Sequence, residues 1–139
     1  MKITLKRLDD DFHMEAVNEE GCKIETDGAP KIGGHNKGLR PMQLLLAAAG
    51  SCSSIDIILI LKKQKQHLKD LEVEVTAERE QGKVPSLFTD IHIHFKFFGD
   101  ILDAKAKRAV DLSIEKYCSV VKILQETAKV TSSYEVIEA

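Results

Sequence analysis

Pro41-MQLLLAAAGSCSSIDIILILKKQKQ-His67 is the most apolar run of the chain, and its reading sets everything around it. Proline suits the first position of a helix, where its missing N–H would have had no partner anyway. Lys62, Lys63, Lys65 and His67 complement the negative pole at the far end. As one continuous helix these residues would span about 40 Å, more than the width of a small domain. A membrane span would have the same length, but Gln43, Ser51, Ser53, Ser54 and Asp56 argue against it. A carboxylate at the midpoint alone costs about 2.5–3.5 kcal/mol on insertion. A helix apolar on nearly every side is then one buried on every side. In a chain of 139 residues that predicts a helix at the centre of an oligomer.

Upstream, the pattern is that of strands. Ile3, Leu5 and Leu8 form one alternating set, Phe12, Met14 and Ala16 a second, and Cys22–Thr26 a third after the turn Asn18–Gly21. The segment 27–40, DGAPKIGGHNKGLR, is a loop by its glycines and proline. Downstream, 71–99 reads as a hairpin. Leu71, Val73 and Val75 alternate on one arm, Ile91, Ile93, Phe95 and Phe97 on the other, and Gln81–Pro85 form the tip. Asp100 is placed to cap a helix carrying Leu102, Ala106, Ala109, Val110 and Ile114, ending near Tyr117. A short helix over 119–128 and a last strand over 129–138 complete the order. Strands and helices grouped in this way predict one α+β domain over 1–139 with antiparallel sheets.

Composition agrees. The chain is 43% hydrophobic and 30% charged, enough for a core without metal or disulfide staples. A net charge of −2 removes the electrostatic footprint of a nucleic-acid binder. Three cysteines are too few and too odd for a secreted disulfide scaffold. The start MKITLKRLDDDF has no apolar signal core, so a reducing cytoplasm is the expected compartment, with no membrane partner.

Cys52 stands among Gly50, Ser51, Ser53 and Ser54, an odd set within Leu, Ile and Ala. Two readings fit. In one, the helix breaks at Gly50, Ser51 caps a new helix, and Cys52 sits in its first turn, where orphan N–H groups favour a thiolate. In the other, Cys52 is a small buried hydrophobe among residues that allow close packing. Cys118 precedes a second helix start, 66 residues on. A reactive thiol near a second, resolving thiol is what thiol-redox chemistry requires. Cys22, beside a turn, reads as structural or incidental. Asp56 is four residues after Cys52 and shares its helix face; unpaired it would oppose thiolate formation, and it could equally cap or pair across a dimer. Gln43 falls on the opposite side of a straight helix from Cys52. His92 and His94 could share a metal, yet without further ligands nearby they read as the exposed face of a half-buried sheet. No cofactor or metal is expected.

The stretch Pro41-MQLLLAAAGS-Cys52, the preceding GGHNKG loop and Glu115-KY-Cys118-SV together resemble the OsmC/Ohr superfamily, and within it the YhfA-like branch with its Lys-rich helix end. The resemblance covers nearly the whole chain. It implies a two-layer α+β fold with a long central helix, intertwined as a homodimer, with active sites at the subunit interface. It implies reduction of organic hydroperoxides, with Cys52 as peroxidatic thiol, Cys118 as resolving thiol, and an external dithiol as reductant. The family glutamate falls at Gln43, which cannot hold a charge. The family arginine falls at Ile32; Lys31, Lys37, Arg40, Arg79 and Lys83 are the basic candidates. Apolar residues such as Leu45, Ile55 and Phe88 would favour an organic peroxide. The competing expectation is a module of the same fold that binds a small apolar or thiol-reactive ligand with little turnover. A purely structural dimer would make both cysteines coincidental.

Overall fold

A computed structural model describes all residues, 1–139, as two compact units, Met1–Leu45 and Leu46–Ala139. In the first, β1 (Thr4–Arg7), β2 (Met14–Val17) and β3 (Lys23–Thr26) form the expected antiparallel meander in the order β1-β2-β3. Its register aligns Leu5, Ala16 and Ile24 in one row. Each turn is tied by a side chain. Asp9 Oδ1 accepts the N–H of Asp11 and of His13, and Asn18 Oδ1 accepts those of Glu20 and Cys22. Leu5 and Ile24 are nevertheless exposed, and with Ile3, Ala16 and Leu44 they line an apolar cavity of about 440 Å³.

The glycine-rich loop is ordered around Asp27. This side chain is only 2% exposed, and its carboxylate accepts the backbone N–H groups of Gly28, His35 and Lys37. Burial pushes its pKa up, but those three donors outweigh burial and hold it below the ordinary carboxylate value. Gly34 and Gly38 are required by close approach. A Cβ on Gly34 would stand 1.8 Å from the Gly28 carbonyl oxygen, and one on Gly38 2.5 Å from that of Glu25.

The long helix α1 (Pro41–Lys63) begins in the first unit and runs on into the second without interruption. It is shorter than the predicted 41–67, because Lys65 takes a positive φ of 58° and the chain turns into β4 (His67–Arg79). β4 pairs antiparallel with β5 (Phe88–Asp100). β6 (Lys129–Ile137) lies parallel to β5, which corrects the expectation of purely antiparallel sheets. The physical reason is the connection: α2 (Asp103–Leu112), a π-helical turn (Ser113–Tyr117) and α3 (Ser119–Leu124) carry the chain back to the same end of β5 before β6 starts. Asp100 does not cap α2; it remains in β5, Leu102 takes the cap position, and Asp103 supplies the acidic first turn.

The core of this second unit is the inward row Ile91, Ile93, Phe95 and Phe97 with Ile57, Leu61, Ala106, Ala109, Val110 and Val121. On the other sheet face His92 and His94 are held in a polar ladder. His92 is bonded to Thr131 and Ser133, and His94 to Ser133 and Glu135. Both imidazoles have protein partners on both nitrogens, in keeping with a polar sheet face.

By length and composition α1 is long and apolar enough to cross a membrane. It buries one stripe, Ala49, Ser53, Ile57 and Leu61, while Leu45, Ile55, Ile58 and Leu59 stay exposed on the chain.

Candidate functional site

Gly50 lies in the middle of α1 and does not break it. A Cβ there would come within 3.1 Å of Val75 Cγ2, so glycine lets the helix lie close on β4. The adjacent serines turn their hydroxyls back into the helix. Ser53 Oγ donates to the Ala49 carbonyl at 2.7 Å and Ser54 Oγ to that of Gly50 at 2.6 Å. Such back-bonding satisfies the hydroxyls without a helix end. Cys52 is therefore a mid-helix residue, partly buried, with no orphan N–H groups around it. The helix-break reading is corrected for this reason, and the small residues serve close packing.

Cys118 is where a helix start was expected. It is the N-cap of α3, and its Sγ accepts the Val121 N–H at 3.5 Å. The residue is 3% exposed. Burial pushes its thiol up from 9.0 to about 11; the Val121 N–H pulls the other way, and the neighbouring Cys52 thiol adds to the rise. A helix N-terminus thus fails to make this thiol acidic, because desolvation outweighs one N–H···S bond.

These elements bring the two cysteines together. The Sγ atoms of Cys52 and Cys118 and a carboxylate oxygen of Asp56 lie within 4.8 Å of one another, and all three cysteines of the chain are free thiols. Ser113, which sequence reading missed, organises the carboxylate. Its buried hydroxyl sits 3.0 Å from the Ser53 carbonyl oxygen and 3.3 Å from Asp56 Oδ2. The π-helical turn carrying Ser113 ends at Cys118, whose N–H donates to the Ser113 carbonyl at 2.8 Å. Nothing in the residue types marks Ser113; only the π turn gives it its place, and such turns are frequent at functional sites. On the Asp56 side a cavity of about 380 Å³ is lined by Leu59, Ile60, Lys63, Arg108, Leu112 and Tyr117. Arg108, another residue the sequence reading passed over, is in no ion pair there.

The other candidates lie apart in their bonding. Gln43 is the third residue of α1, and its Oε1 accepts the Arg40 N–H at 3.0 Å, closing the helix N-terminus as the reverse half of a capping box. The Arg40 guanidinium donates to the Gly38 carbonyl and to Asn36. That of Arg79 donates to the Ser86 carbonyl, over Phe88, and Lys83 pairs with Glu80. His35 pairs with Asp11, which raises its pKa. Cys22 is exposed and borders the apolar cavity of the first unit. Leu45 and Ile55 are exposed and Phe88 is buried, so the apolar lining beside Asp56 comes instead from Leu59, Ile60 and Leu112.

Residues 34–133 match the family model described as OsmC-like protein. The chain belongs to the OsmC-like family. Protein YhfA of Escherichia coli (strain K12) is 49% identical over 105 residues, covering 75% of this chain and 78% of YhfA. A hypothetical protein from Aquifex aeolicus VF5 has the same fold, with a TM-score of 0.85 and 32% identity over 99% of this chain and 96% of its own. A Legionella pneumophila structure described as an organic hydroperoxide resistance protein OsmC superimposes with a TM-score of 0.72 over 97% of both chains. At 17% identity that likeness speaks for the fold alone. The OsmC-like match takes in the last part of the glycine-rich loop, from Gly34, all of α1 and both cysteine motifs.

Proposed function

We propose that this OsmC-like chain works as one domain and as a thiol-dependent peroxidase for organic hydroperoxides, in the reducing cytoplasm and in defence against oxidative stress. The Cys52 thiolate attacks the peroxide, the O–O bond breaks, and with one proton taken up the products are a Cys52 sulfenic acid and an alcohol. The Cys118 thiol condenses with the sulfenic acid, releasing water and leaving a Cys52–Cys118 disulfide. An external dithiol returns both thiols to the reduced state. What supports the reading is the approach of these two thiols within 4.8 Å from elements far apart in sequence. An S–S bond of about 2.05 Å requires the two sulfurs to close the remainder of that separation on oxidation. The cavity beside Asp56 has an apolar wall of Leu59, Ile60 and Leu112 against which an organic group could pack.

We assign Gln43 to the same site as the position of the family glutamate. On an unbroken α1 it points away from the Cys52 of its own chain, so the reading draws it from a second subunit, in a homodimer with active sites at the interface. The exposed apolar residues Leu45, Ile55, Ile58 and Leu59 of α1 and Leu5 and Ile24 of the first sheet support such a partner. The test is an organic hydroperoxide assay with a dithiol reductant on the natural chain and on Cys52→Ser. Turnover in the natural chain and none in the variant is expected. Equal rates would overturn the peroxidase reading in favour of a ligand-binding module of the same fold.

A further inference from the structure

We propose that the reduced Cys52–Asp56–Cys118 cluster binds a divalent cation of the zinc class, a property that stands apart from hydroperoxide turnover. Two sulfur ligands and one carboxylate oxygen lie within 4.8 Å of one another. In a tetrahedral site with Zn–S near 2.3 Å and Zn–O near 2.0 Å, the ligand atoms stand about 3.5–3.8 Å apart. Small side-chain movements close that gap. The ligands come from two helical elements, since Cys52 and Asp56 are one turn apart on α1 and Cys118 caps α3.

The surroundings are those of a supported ligand set. The Ser113 hydroxyl lies 3.0 Å from the Ser53 carbonyl and 3.3 Å from Asp56 Oδ2, and its single proton is shared between these two acceptors. The Val121 N–H supports the Cys118 sulfur. Such outer partners fix ligand orientation in metal sites. Charge points the same way. Asp56 is in none of the chain's ion pairs, so its carboxylate is open to a cation, with Lys63 and Arg108 elsewhere in the lining of the same cavity. A dication is the species that matches two thiolates and a carboxylate. Thiolates select Zn(II), Cd(II) and Co(II) over Mg(II) and Ca(II). The cavity lined by Leu59, Ile60 and Tyr117 reaches Asp56 and leaves room on that side for a water as fourth ligand.

Binding displaces the two thiol protons. If the peroxidase reading holds, a hydroperoxide and two protons convert the two bound thiolates to a disulfide, an alcohol and water, and the cation leaves. Binding and turnover then compete.

The experiment uses the reduced, full-length chain with Cys22→Ser, so that only two thiols remain, titrated with Cd(II) alone and with Co(II) alone. Expected are one Cd(II) per chain, thiolate-to-cadmium charge-transfer absorption, release of two protons, and the visible bands of tetrahedral Co(II). Asp56→Asn should weaken Cd(II) binding by about tenfold or more, and Cys118→Ser should remove the charge-transfer absorption of a two-thiolate site. Far-ultraviolet circular dichroism of each variant verifies its fold. Absence of the absorption in the Cys22→Ser chain with excess Cd(II) overturns the proposal, as does a folded Asp56→Asn chain with unchanged affinity. Metal binding without peroxide turnover would sink only the peroxidase reading; turnover without metal binding would sink only this one.

Discussion

Cys52 and Cys118 reach the same point from opposite kinds of backbone. Cys52 stands inside a continuous α-helix that lies close on β4 through Gly50, and every amide near it is used by the helix. Cys118 stands where a π-helical turn gives way to a short helix, and its sulfur takes one of the orphan N–H groups of that helix. Position at a helix start does not make Cys118 the acidic thiol, because the same packing that places it also strips it of water. Local backbone chemistry and burial compete, and here burial wins.

The largest effect that would sharpen this contrast is on reactivity. A shift from 9.0 to about 11 leaves roughly a hundredfold less thiolate at neutral pH. Mass-spectrometric alkylation of the folded, reduced chain should find Cys118 modified far more slowly than exposed Cys22. Comparable rates for the two would break the claim that burial governs Cys118. Next comes Gly50→Val, which forces a branched side chain against Val75. Overpacking of this kind costs about 1–3 kcal/mol, to be read from denaturant unfolding. An unchanged midpoint would show that close helix–sheet approach is not why Gly50 is there.

Ser113→Ala should be milder, about 1 kcal/mol for the lost hydrogen bonds, with the Cys52 segment loosening from the Cys118 segment. Near neutral pH the effect on stability that comes last is one of pH dependence, which emerges only at the alkaline and acid ends. A thiol whose pKa is raised on folding keeps its proton more tightly in the folded state. Its contribution to stability is whole below pH 9.0 and is lost as pH rises toward about 11. Cys118→Ser should flatten the unfolding midpoint over that window. Asp27 gives the opposite sign, since its lowered pKa makes its contribution fade as pH falls below the ordinary carboxylate range. Asp27→Asn should remove that acid sensitivity.

Most of the element order was legible because it rests on periodicity: Leu5 and Ala16, Val73 and Val75, Ile91 to Phe97, and the helical spacing of Ala106, Ala109 and Val110 all speak locally. The pairing of Cys52 with Asp56 was legible for the same reason, being one helical turn. Gly50 misled because glycine in a helix signals either an end or a close neighbour, and the neighbour, Val75, is a tertiary fact. The parallel placement of β6 escaped because periodicity says nothing of strand direction. Ser113 escaped because a single serine gains meaning only when a π turn aims it at Asp56.

The parallel pairing of β6 also bears on the order in which the molecule comes together. Cys118 rides on the crossover between β5 and β6, and the first rung of that pairing, Asp90 with Lys129, joins residues far apart along the chain. Contacts of such long reach form late, because loop closure must precede them. The hairpin of β4 and β5, with its short tip, does not have to wait for that closure. During synthesis the Cys52 segment is thus finished while its companion thiol is still to come, and for that interval the only other thiol already made is Cys22.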